Sequence, residues 1–108
     1  MPLAPQTEIY STMGGDPDFG ELVEMYVDEM PERLQRLQDI HREGNYAELN
    51  RLAHQIKGSA GGYGFDEITP YAARLERAAT RDPDMAELEG ALHELLAICR
   101  RIGSGKPA

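Results

Sequence analysis

A chain of 108 residues is long enough for one hydrophobic core and too short for two, and it holds no apolar run near the roughly 20 residues that a membrane helix needs. Nineteen acidic residues against eleven basic ones give a net charge of −8, a solubility surface that argues against nucleic acid as a partner. Cys99 is the only cysteine, which excludes an internal disulfide and a thiolate metal cluster.

Residues 1–6 read as a loose tail without the basic and apolar regions of a signal peptide, so a cytoplasmic address is expected, and Met1 favours a free-standing protein over an excised module. Thr7 to Met13 is expected to form a short helix, with Ile9, Tyr10 and Met13 capping one end of a bundle before Gly14-Gly15 stops it. Asp16-Pro17 then reads as N-cap and first helical position, with Asp18 and Glu21 favourable near the positive helix end. The helix that follows carries Phe19, Leu22, Val23, Tyr26, Val27, Met30, Leu34, Leu37 and Ile40 as one i, i+3, i+4 stripe. The stripe stays in phase past Pro31, which predicts a bend near Asp28 instead of a break. Gly44 ends this helix, His41 suits its negative C-terminal end, and Asn45 with Glu48 at N3 makes a capping-box-like start to the next.

Gly61 to Gly64 unwinds the second helix. Thr69-Pro70 offers a cap and first-turn pair for a third, after a preliminary turn from Asp66, with Tyr71, Ala72, Leu75, Ala78 and Ala79 inward. Asp82-Pro83 or Asp84 opens a fourth, with Met85, Leu88, Leu92, Leu95, Leu96, Cys99 and Ile102 inward, and Cys99 as a small buried hydrophobe. Gly103 to Ala108 reads as a frayed end. With no Trp and few Phe, aliphatic side chains must fill the interior, as they do where helices pack on helices. Short loops make neighbours antiparallel. The expected fold is all-α: an antiparallel up-down-up-down four-helix bundle with a short extra N-terminal helix, one domain over 1–108 with an ordered core from about 7 to 103 and tails at 1–6 and 104–108.

No Asp or Glu falls between Glu48 and Asp66, although the chain is acidic. Placed on a helix at about 100° per residue, Leu49, Leu52, Ala53, Ile56, Ala60 and Tyr63 share an apolar face. His54 lies roughly 150° from the middle of that face, on a strip with Asn50, Arg51, Lys57, Gly58 and Gly61. A lone helical His is most often a solvated residue without a task. Here Lys57 and Gly58 stand at i+3 and i+4 beside the ring, and glycine inside a helix costs up to about 1 kcal/mol relative to Ala. Close approach of another protein surface gives Gly58, Gly61 and Gly62 a reason, and local positive charge suits a transient anion on His54.

Other patterns are weaker. His93-Glu94 begins a zinc-protease motif, but Ala97 stands where the second His is required. The run Gly58 to Gly64 lacks a following Lys-Ser/Thr and a preceding strand, so it is neither nucleotide fingerprint. Ser59 sits about 140° round the helix from His54, too far to be activated by it.

The pattern Ala53-His54-x-Ile56-Lys57-Gly58-Ser59, followed by Gly61, Gly64 and Leu75-Glu76, resembles the histidine-containing phosphotransfer (HPt) domain of multistep two-component phosphorelays. Asp16-Pro17-x-Phe19-x-x-Leu22-Val23-x-x-Tyr26 with Pro31 also resembles the helix before the His helix, and the likeness spans roughly residues 8 to 103. Gly62 stands where Asn is common in that family, and Phe65 where a small residue is usual. The resemblance implies a phosphoryl carrier without ATP-binding kinase activity. His54 would be the phosphoacceptor, Lys57 the phosphoryl-stabilising cation and Gly58 the clearance position, with Arg51, Gln55 and Gly61 as partner contacts. The implied partners are response-regulator receiver domains and a hybrid sensor histidine kinase, with no nucleic acid, no membrane and a monomeric chain. No cofactor is expected here, because Mg²⁺ would sit on the receiver. The rival expectations are a non-catalytic receiver-binding adaptor in which His54 is an ordinary contact, and a metal-binding bundle.

Overall fold

The computed structural model describes residues 8–103. The proposed tails 1–6 and 104–108, and Thr7, lie outside them. Four helices make up most of the fold: α1 (Gly20–Arg42), α2 (Tyr46–Gly62), α3 (Thr69–Ala78) and α4 (Met85–Cys99). They form the expected four-helix bundle, and two short strands, β1 (Ile9–Tyr10) and β2 (Ile102–Gly103), pair in parallel.

Local chemistry sets most boundaries. Asn45 Oδ1 accepts the Glu48 amide at 3.2 Å, and Asp84 Oδ1 accepts the Glu87 amide at 3.0 Å, each relieving one unpaired donor of a helix start. The capping box at Asn45 is only half made, since the Asn45 amide goes to Ile40 O at 3.2 Å and the Glu48 carboxylate turns to Arg51 and Arg36. Gly44 (φ 72°) closes α1 in a conformation that side chains other than glycine rarely take. Asp16 caps a preceding turn instead of α1 itself, accepting the Asp18 amide at 2.7 Å and the Phe19 amide at 3.3 Å, and the helix proper begins at Gly20. Thr69 is likewise the first helical residue and not the cap, Ile68 preceding it with no side-chain bond. The helix α1 passes Pro31 unbroken, and Arg33 Nη1 reaches back to Tyr26 O at 3.3 Å in that region.

The core is one cluster in which Tyr26, Leu37, Leu49, Ile56, Leu75, Leu88 and Leu95 are almost wholly enclosed. Phe65 is buried with them, its ring centroid 6.0 Å from that of Tyr26, and Cys99 is buried as expected.

Other expectations are corrected at the two ends of the chain and in the inward faces. The segment before Gly14 is not a helix but an arm containing β1, and Gly103 is not frayed but paired in β2. A run of seven residues with Thr7, Ile9 and Thr12 is too short to nucleate a helix, while Arg101 O and Gly64 O stand ready to accept the Ile9 amide (2.7 Å) and the Thr12 amide (3.1 Å). Four residues assigned inward are exposed: Phe19 and Leu22 at 44%, Tyr71 at 36% and Met85 at 45%. Phe19 and Leu22 lie beyond the end of α2, because Tyr26 is level with Ser59 (hydroxyls 2.8 Å apart) and α2 stops at Gly62. Met85 and Tyr71 sit in the first turns of their helices, at the rim, and Met85 is only partly covered by Tyr46 of α2, whose hydroxyl lies 3.6 Å from its sulfur.

Candidate functional site

The α2 sequence folds with the partition its periodicity dictates. Leu49, Leu52, Ala53, Ile56 and Ala60 are buried, while Tyr63 is only partly so. Arg51, His54, Gln55 and Gly58 are exposed on the far side, and the His54 side chain keeps 65% of its surface in solvent.

The register of α2 against α3 brings a carboxylate to this ring. His54 Nδ1 lies 2.8 Å from Glu76 Oε2, and Lys57 Nζ lies 2.6 Å from Glu76 Oε1. Asn50 Nδ2 donates to the Glu76 backbone oxygen at 2.7 Å. Residues 50, 54 and 57 thus form one helical stripe that grips a single residue of α3. Leu75, fully buried beside it, fixes α3 in the core and so fixes where Glu76 can reach. Lys57 first and His54 second hold the Glu76 carboxyl below its ordinary value of 4.5, so it is ionised near neutral pH. An ionised carboxylate only accepts hydrogen bonds, which makes Nδ1 the protonated nitrogen of a neutral His54 ring and leaves the Nε2 lone pair free.

The other residues of the strip differ in what they can do. A Cβ on Gly58 would meet nothing within 4 Å, so nothing among the described residues requires glycine there. Gly61 is half-buried at the α2–α3 seam, where a Cβ would stand 3.6 Å from Thr69 Oγ1. Arg51 is held by Glu48 on its own helix, which it keeps below the ordinary carboxylate range, and Gln55 points to solvent. Ser59 bonds Tyr26 and lies apart from the ring. Near α1, Phe19, Leu22 and Met25 leave an exposed apolar stripe at i, i+3 and i+6.

The sequence pattern includes Leu75-Glu76 without giving Glu76 a role, and in the structure His54 and Lys57 share its carboxylate. A separation of 22 residues between His54 and Glu76 gives no local signal, and only the helix register joins them. The same holds for Asn50. Among the described residues no group of three or more His, Cys, Asp or Glu is placed to hold a metal ion, and no helix is long and apolar enough to cross a membrane.

A family model described as "Hpt domain" matches residues 21–105. No match was found among curated proteins or among solved structures.

Proposed function

This chain belongs to the Hpt domain family, whose members serve phosphotransfer in two-component phosphorelays, and from that premise we propose that it carries a phosphoryl group on Nε2 of His54 between response-regulator receiver domains. The observation that carries the reading is the exposed imidazole whose Nδ1 is held by Glu76. Nε2 attacks the phosphorus of an aspartyl phosphate on the receiver. The N–P bond forms as the P–O bond to the aspartate breaks, and the aspartate leaves as a carboxylate. The ring gains positive charge in this step, and Glu76 Oε2 stabilises the Nδ1 proton that remains. The reverse step regenerates the neutral ring.

Lys57 supplies the charge for the phosphoryl oxygens. It rests on Glu76 at 2.6 Å before transfer and turns to the new dianion after it. Gly58 gives the receiver room above the ring, since the space over it is open. The receiver seats on Arg51, Gln55 and Gly61 and on the apolar stripe of Phe19, Leu22 and Met25. Mg²⁺ and its acidic pocket belong to the receiver.

Mixing with a phosphorylated receiver tests this. The wild-type chain is expected to take up label in an acid-labile, base-stable linkage, and His54→Gln to take up none. Label retained by His54→Gln contradicts the assignment. Binding without any transfer, indifferent to His54→Gln, would identify an adaptor instead.

A further inference from the structure

The arm Glu8–Met13 precedes the family-matched residues 21–105, and none of its side chains takes part in the transfer chemistry. It is nevertheless built into the fold from two sides. Along one, β1 lies on β2, with the Ile9 amide donating to Arg101 O at 2.7 Å. Along the other, the Thr12 amide donates to Gly64 O at 3.1 Å and Ser11 Oγ donates to the Tyr63 carbonyl. Ser11 Oγ also accepts the Met13 amide at 2.9 Å. Two glycines give way to the arm. A Cβ on Gly64 (φ 83°) would run into Ser11 Oγ and the Thr12 nitrogen, and one on Gly103 would run into Glu8 and Tyr10. Ser11 itself is buried, at 8% exposure, where serine is uncommon.

From Ser11 a chain of contacts leads into the His54 helix. The Tyr63 ring stacks on Tyr26 with centroids 4.5 Å apart, and the Tyr26 hydroxyl bonds Ser59 Oγ at 2.8 Å, five residues after His54. The Tyr63 amide donates back to Ser59 O at 2.9 Å. The end of α2 is therefore held from outside by the arm and from beneath by Tyr26. Phe19 and Leu22, seven and four residues before Tyr26, are exposed.

We propose that Ser11 is a positioning residue: by holding the Tyr63 carbonyl it fixes the exit of α2, and with it the surface that receives the partner, so that it sets affinity for the receiver and not the chemistry at the imidazole. This rests on the reading of His54 as phosphoacceptor. With its hydroxyl gone, the Tyr63 carbonyl loses a donor, and the turn from Gly61 to Gly64 gains freedom that docking must then remove.

The test is a titration of Ser11→Ala and wild type with a phosphorylated receiver under single-turnover conditions. Ser11→Ala is expected to raise the half-saturating receiver concentration about fivefold, while the rate at saturation stays at the wild-type value. An unchanged half-saturation, or a loss confined to the saturating rate, overturns the proposal. Hydrogen exchange on the unaltered protein tests the same coupling without a variant. The Thr12 and Tyr63 amides are expected to share one protection level. A freely exchanging Thr12 beside a fully protected Tyr63 overturns it. Absence of label on the wild type would instead sink the phosphoacceptor reading, and the exchange result would still decide the coupling.

Discussion

Glu76 faces the Lys57 ammonium and the Nδ1–H of His54, and as an ionised carboxylate it accepts from both. Glu76→Gln removes that charge and leaves Lys57 without its partner, so transfer into His54 is expected to slow by roughly three- to tenfold, a modest factor because the site is open to solvent. Stopped transfer assays with a fixed receiver check this, and a rate equal to wild type would deny Glu76 its role. Lys57→Ala is expected to slow transfer by about tenfold with the fold intact, as judged by an unchanged circular dichroism spectrum. Cys99 lies at the opposite extreme of accessibility. Burial pushes its thiol up to about 12, so it should resist thiol reagents in the native protein and react only on unfolding. Rapid labelling of the folded chain would contradict that environment.

At the scale of elements, Gly58 separates folding from function. Its Cβ position is empty, so Gly58→Ala should stabilise α2 by up to about 1 kcal/mol and raise the melting temperature, while weakening transfer by intruding on the docked receiver. A melt and a transfer assay on the same sample decide it, and lower stability would show that the chain needs this glycine for its own packing. The helices themselves were legible from periodicity, and the starts of α2 and α4 from Asn45 and Asp84, because a buried stripe and an Asn or Asp at a helix start are local signals. The stripe of α2 was read almost whole, and with it the exposure of His54. What stayed hidden was non-local. The parallel pairing of Ile9 with Ile102 joins opposite ends of the chain, and neither segment has a strand-like pattern. Phe19 and Leu22 match the helical stripe but overshoot the end of α2, a fact of relative helix length that no single helix reveals.

Across the whole molecule, an ion pair bridges each successive helix seam. Arg36 meets Glu48 at 3.4 Å between α1 and α2, Lys57 meets Glu76 between α2 and α3, and Arg74 meets Glu87 at 3.0 Å between α3 and α4. Glu48, Glu76 and Glu87 are all held below their ordinary value of 4.5, chiefly by Arg51, Lys57 and Arg74 respectively. A lowered carboxyl pKa contributes stability that is present above the unfolded value and lost as pH falls through the folded one. The melting temperature should therefore be level from pH 7 to about 5, fall below about 4.5, and fall less in Glu76→Gln. A melting temperature that rises on acidification would contradict these pairings. The bundle thus holds the His54 imidazole in the open with its Nδ1 already engaged by Glu76. Nitrogen-detected NMR of the chain after phosphorylation by a receiver tests that claim most directly. The phosphoryl group is expected on Nε2 of His54 with Nδ1 still protonated, and phosphorylation at Nδ1 or on any other residue would contradict it.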